Sequence, residues 1–244
     1  MAAPLRILAL HLVLFGAALP ASGQETVADF QDGLAIATTS VGEVVRKGPR
    51  GKERAFELHA VEPLTGSSVR TGKDGYLFLS LSNGSALGIH AASDVRFQRY
   101  GQRPYPPEKE SHEYEPTRSE VMLQLKRGSL VFSAERLSPL SRILIKLPVG
   151  EIEVHKASGH VICDEKGARI TITSGIVGYA HPGSGEQEFI NAPNTVRTKF
   201  PQGELSPIVE STPESNPRHN LAEQLVDAAH HSRRRVIFKV HSQT

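Results

Sequence analysis

The sequence predicts an all-β protein: stacked short strands, forming a β-solenoid resembling a β-helix or a sandwich, with a short C-terminal helix at the end. Three observations carry this. Apolar residues recur at every second position from about Leu34 onward, the period of a strand with one buried face. Glycine-bearing turn segments interrupt these runs at short intervals. Helical periodicity is missing from the same region.

The elements follow in order. Ala35–Val44 (AIATTSVGEV) leads in, and Val69–Gly75 forms a turn-rich link ending in Asp74-Gly75. Leu77, Leu79 and Leu81 then alternate, Asn83-Gly84 offers a tight hairpin turn, and Leu87 and Ile89 resume. The figure recurs three times more. Leu123 and Leu125 lead through Lys126-Arg127-Gly128 to Leu130 and Phe132. Ile143, Ile145 and Leu147 lead through Pro148-Val149-Gly150 to Ile152 and Val154. His160–Cys163 leads through Asp164–Gly167 to Ile170 and Ile172, with another turn expected at Ser174-Gly175. A sheet with one apolar face must bury it on a second layer or on itself.

One insertion breaks the ladder. Arg99–Arg118 is proline-rich and charged, and reads as a long exposed loop whose Tyr100, Tyr105 and Tyr114 are candidate partner contacts. The β domain is expected over residues 34–200. Residues 201–217, rich in Pro, Ser and Glu, read as a linker. Residues 218–244 read as a helix and a final strand. Asn220–Ser232 is the helix, capped by Asn220, with Leu221, Leu225 and Ala228 or Ala229 as its apolar stripe. Leu221 and Leu225 join the candidate contacts. Arg233-Arg234-Arg235 suits the negative end of a helix dipole, and Val236–Val240 reads as the strand.

The N-terminus reads as a secretory signal peptide over residues 1–23. Arg6 precedes an apolar run of about 14 residues, short of the ~20 that span a bilayer. Ala21-Ser22-Gly23 supplies small residues for cleavage before Gln24. The mature chain is therefore expected to be exported, periplasmic or extracellular, with no stable membrane span. A formal charge of +2, with basic residues scattered, does not suggest a nucleic-acid binder. Aromatic residues are few and tryptophan is absent, which gives a sugar platform little support.

No constellation of catalytic residues emerges. Cys163 is single, so it forms no intramolecular disulfide, and no activating partner is evident nearby. The 11 histidines include neither His-x-His nor HExxH. His155 and His160 flank a Lys156–Gly159 turn and could face each other across a hairpin, but two ligands without a third make a poor site, since zinc takes three or four donors. Gly-x-Ser-x-Gly, P-loop and dinucleotide fingerprints are missing. Glu151 and Glu153 share one strand face, which reads as solvated rather than as a glycosidase pair. The expectation is a non-enzyme with no cofactor, no metal and no catalytic residue.

The segments Gly72–Ser85 with Leu87 and Ile89, Leu123–Leu130, Ile145–Gly150 and Ile172–Val177 are, as an ordered set, similar to the FecR-type domain. The similarity runs from about Val41 to Lys199. It implies an extracytoplasmic β domain of the kind that senses an envelope signal and passes it toward a sigma factor. The signalling members carry an anti-sigma segment and a membrane span ahead of this domain. Here the domain follows the predicted leader directly. The resulting expectation is an exported protein-interaction or envelope-sensing module that meets a protein or envelope partner, with a carbohydrate or cell-wall binding domain as the alternative.

Overall fold

The computed structural model describes residues 30–104, 115, 117–199, 205–207 and 217–234. The predicted leader, Tyr105, Tyr114 and the Val236–Val240 strand lie outside them. The strands are β1 (Gln31–Asp32), β2 (Leu34–Val41), β3 (Val44–Lys47), β4 (Glu53–Ala55), β5 (Val61–Pro63), β6 (Ser68–Thr71), β7 (Tyr76–Leu81) and β8 (Ala86–Ile89). They continue as β9 (Asp94–Gln102), β10 (Ser119–Ser133), β11 (Arg142–Leu147), β12 (Gly150–Asp164), β13 (Gly167–Ala180), β14 (Gln187–Asn191), β15 (Asn194–Lys199) and β16 (Leu205–Pro207). One helix, α1 (Pro217–Arg234), follows. The all-β expectation holds.

Every strand belongs to one hydrogen-bonded network, and register resolves it into two layers. The front layer runs β4-β3-β6-β9, then the first half of β10, β11, the first half of β12, the second half of β13, and β14. The back layer runs β5-β2-β7-β8, then the second half of β10, the second half of β12, the first half of β13, β15 and β16. All pairings between these strands are antiparallel except β10 with β11. Three long strands are thus shared by both layers.

This corrects three expected turns. Lys126–Gly128, Lys156–Gly159 and Ser174-Gly175 do not end strands; they are corners at which β10, β12 and β13 cross from one layer to the other. Gly128 has φ +95°, and a Cβ there would lie 2.4 Å from the Ser93 Cα. Gly175 has φ +76°, and a Cβ would lie 2.2 Å from the Lys156 carbonyl oxygen. Only glycine fits such a left-handed corner against neighbouring backbone. Gly128 pairs with Cys163, beside the β12–β13 turn, whereas the corners of β12 and β13 lie beyond the Ser133–Ser158 pair at the opposite end. The turns at Asn83-Gly84, Pro148-Val149 and Asp164–Gly167 connect strands as expected.

Inward residues of both layers make one core. Leu79, Leu87, Phe97, Leu123, Leu130, Ile145, Ile152, Val161 and Ile170 are all fully buried in it. At one margin the buried Arg46 of β3 pairs with the buried Glu62 of β5, pinning front layer to back. Arg54 adds a second contact to Glu62 at 2.6 Å, and Arg46 also lies over the Phe56 ring. Losing one partner of such a pair strands a charge, at a cost of about 3–5 kcal/mol.

Further boundaries differ from expectation. Leu205–Pro207, assigned to the linker, pairs with β15. The helix starts at Pro217, not after an Asn220 cap; proline suits the first turn because its missing N–H has no partner there in any case. The inserted segment is shorter than Arg99–Arg118, since Arg99–Gln102 lies inside β9.

Replacing Gly128 with alanine is expected to destabilise the protein by about 2 kcal/mol or more, because the corner admits no Cβ. Urea denaturation against wild type measures it.

Candidate functional site: the covered face and the open edge

The outward face of the back layer is half roofed by α1. On β7, β8 and the end of β10 (Leu130–Ser133), residues of both faces are buried, whereas on the front-layer strand β11 the outward residues are only half-buried or exposed. Phe78, Ala86 and Val131 point away from the main core and pack with Val226 and Ala229 of the helix. The helix stripe is His219, Ala222, Val226, Ala229 and Arg233, a 3-4-3-4 spacing that keeps them on one side. Small residues let the helix lie close over a floor of Ala86, Gly88 and Ser133, and burial of Val226 contributes about 1.5–3 kcal/mol.

The stripe corrects the sequence reading. Leu221 is 47% exposed and lies outside it, and Leu225 is half-buried at its flank, against the Phe78 cluster. Ala222 and Val226 carry the contact instead; their 3-4 spacing was legible, but two larger leucines next to it outweighed them. Arg233, assigned only to the helix dipole, donates from Nη1 to the Gly84 carbonyl at 2.8 Å. The Asn83-Gly84 turn is thus where the end of the helix seats.

That turn is itself built from inside. Asn83 is fully buried and donates to Ser119 Oγ (3.0 Å), while its Oδ1 accepts from the Ser85 amide (3.0 Å) and hydroxyl (2.6 Å). The Asn83 amide donates to the Tyr100 hydroxyl at 2.9 Å. Tyr100 is therefore not a partner contact: it is fully buried, because β9 extends through it and turns its ring inward to a polar seat at Ser82 and Asn83. Nothing in the local composition around Arg99–Arg118 signals this.

Beside the helix, the outward face of the back layer carries two histidines. His160 of β12 is 5% exposed and hydrogen-bonds Ser129 Oγ at 2.7 Å. Burial, with help from the charges of His90 and Arg169, lowers its pKa to about 4. Burial also lowers His90, which lies face to face with Tyr76 and edge to face with Phe78. His155 and His160 do not face each other: β12 is continuous through them with a bulge between, and His155 turns to the Ser141 carbonyl and Glu153. Cys163 is buried, and its thiol is pushed up to about 11, which makes it an inert packing residue. Among the described residues, no group of three or more His, Cys, Asp or Glu could hold a metal ion.

Two of the surface cavities are bounded by described residues. One, of 460 Å³, is lined by Leu137, Pro139, Arg136, His155 and Lys156, with Glu115 at its base. Burial raises the Glu115 pKa, although the Ser119 hydroxyl and the Ser138 amide donate to it. The other, of 280 Å³, lies at the end of the β12–β13 hairpin.

Among the described residues, the front layer ends in an open edge. β14 pairs with β13 on one side. Phe189 of β14 is 71% exposed and Ile176 of β13 is 55% exposed. The register sets Phe189 opposite Gly178, one position along the same face from Ile176. The result is an apolar spot beside an edge strand. Among the described residues, no helix is long and apolar enough to cross a membrane.

Residues 67–178 match the family model described as FecR protein. Two crystal structures of a candidate anti-sigma factor from Parabacteroides distasonis are similar. The one at 1.65 Å resolution shares 14% identity and a TM-score of 0.44, the one at 2.50 Å shares 12% and 0.44. Each comparison covers 60% of this chain and 61% of the other, so the chain spans about three-fifths of the structures it resembles. No curated protein matches.

The histidines set a pH dependence. Unfolded histidine binds a proton near pH 6.5, whereas folded His160 resists until about pH 4. Between those values the unfolded state holds more protons, so stability falls as pH drops through 6.5 and levels off near 4. The loss from His160 is about 3 kcal/mol. A His160→Gln variant is expected to lose correspondingly less stability between pH 7 and pH 4.5, measured by urea denaturation at each pH.

Proposed function

For a chain whose residues 67–178 carry a FecR domain, we propose a non-enzymatic module of the cell envelope that senses or relays by binding a partner protein. The observation that carries this reading is the β14 edge, open among the described residues, with exposed Phe189 and Ile176 beside it. An edge strand offers a row of main-chain donors and acceptors, and an extended partner segment adds to it as a further strand. Main-chain pairing supplies affinity, and the apolar spot reads one side chain of the partner. The rigid two-layer body behind the edge suits a relay better than a flexible loop does. The leader reading of residues 1–23 fits the same placement.

A photo-crosslinking residue at position 189, in protein expressed in its native envelope, is expected to capture one defined partner. Phe189→Asp with Ile176→Lys is expected to weaken that partner's binding about 10-fold or more while leaving Tm unchanged, since both side chains are exposed. Equal binding by the variant, or retention on envelope polysaccharide without any protein partner, would overturn the reading. Mass spectrometry of the exported protein is expected to find a chain beginning at Gln24.

A further inference from the structure

The two ends of the front layer carry opposite charge. At one end, β3 and β4 form a hairpin. Its residues from Arg46 to Arg54 include five basic and one acidic, a local net of +4 in a chain whose formal charge is +2. Two of the five are engaged, since Arg46 and Arg54 both pair with Glu62. The acidic one, Glu53, is held by Arg70 at 2.5 Å. Lys47, Arg50 and Lys52 are exposed, and among the described residues none of them makes an ion pair. Backbone closes the turn that carries them: the Gly48 amide donates to the Lys52 carbonyl at 3.1 Å and the Gly51 amide to the Gly48 carbonyl at 2.9 Å. Register adds a fourth cation. Lys47 pairs with Ser68, and Ser68 with Arg96, so Lys47 and the exposed Arg96 share the outward face with their backbones about 10 Å apart. Asp94, on the same face of β9, lies opposite Arg70, away from the turn. At the other end of the layer, β14 and the turn leading into it (residues 181–191) hold Glu186 and Glu188 and no lysine or arginine.

We propose that the β3–β4 hairpin is an electrostatic docking surface for a lipid bilayer with anionic headgroups. Protein interfaces anchor on aromatic or aliphatic side chains, and the turn from Lys47 to Lys52 holds none; its Pro49 lies against Gly66. A single bound ion needs donors in fixed geometry, whereas exposed cations on long stems answer a diffuse field. Each such cation close to an anionic bilayer strengthens binding about 5-fold. The same surface repels Glu186 and Glu188, so the body is held with the β14 edge facing away from the lipid. Docking stands independently of the partner proposed at β14; only the use of this orientation rests on that reading.

The test uses the chain from Gln24 onward, which contains every described residue. It is floated with vesicles of mixed phosphatidylglycerol and phosphatidylcholine, against phosphatidylcholine alone, at about 0.1 M salt. Binding is expected to the mixed vesicles only, and is expected to vanish near 1 M salt, where the field reaches ~3 Å. Lys47→Gln/Arg50→Gln/Lys52→Gln is expected to weaken binding about 100-fold with Tm unchanged, since all three side chains are exposed. An equal loss of exposed charge elsewhere, in Lys166→Gln/Arg197→Gln/Lys199→Gln, is expected to weaken it less than about 5-fold. Binding that survives the hairpin variant, or that falls equally in both variants, overturns the site. So does a wild-type protein that ignores the mixed vesicles, whether or not it is retained on heparin, an anionic polysaccharide. On mixed vesicles, an environment-sensitive dye on Arg50→Cys is expected to shift its emission, and one on Phe189→Cys is not; the reverse overturns the orientation.

Discussion

Three strands, β10, β12 and β13, belong to both layers at once, and the rest of the structure depends on this sharing. Each turns a corner in mid-course, β10 at one end of the sandwich and β12 and β13 at the other. The layers therefore cannot slide or separate without breaking a continuous backbone. The core they enclose has no disulfide to hold it, and Cys163 is only one more packed side chain. The Arg46–Glu62 pair, with the Arg46 guanidinium also donating to the Pro63 carbonyl, closes the margin farthest from the shared strands.

The fold class was plain in the sequence because alternation is a local property. Leu77, Leu79 and Leu81 announce a strand, and Asn83-Gly84 announces a turn, from adjacent residues alone. The corners were not legible. Gly128 and Gly175 look like Gly84 in sequence, yet they keep the strand running into another layer. A positive φ is common to a hairpin turn and a corner, so the residue type does not separate them; long-range register does. Neighbours from distant segments, Ser93 for Gly128 and Lys156 for Gly175, decide the outcome.

The functional features were hidden for the same reason. Tyr100 looked like an exposed ring in a proline-rich loop, and only Ser82 and Asn83, well before it in the chain, make its seat. Arg233 reads as a helix-end charge until the turn 149 residues earlier is set against it. Ile176, by contrast, lies on a stretch read as strand, Phe189 lies beyond the last hairpin read from the sequence, and exposure distinguishes both. The helix stripe was partly visible, because period alone finds the face but not which of two adjacent rows touches the sheet.

The shared strands also govern where this chain can change length. Side chains alternate faces with a period of two, so a single residue inserted into an uninterrupted stretch of strand reverses every side chain beyond it. In β10 that reversal would run through a corner and turn polar residues inward in both layers together. A bulge can absorb an extra residue only where the strand already bends, as between Leu125 and Arg127 or between Val154 and Lys156. Tolerance of insertion and deletion is thereby pushed to the connections outside the shared strands, such as the segment between Gln102 and Ser119 and the Pro182–Glu186 turn. Homologous chains of unequal length are then expected to differ at those two places, while the spacing from Ser119 to Ser133 and from Gly150 to Ala180 stays fixed in residue count.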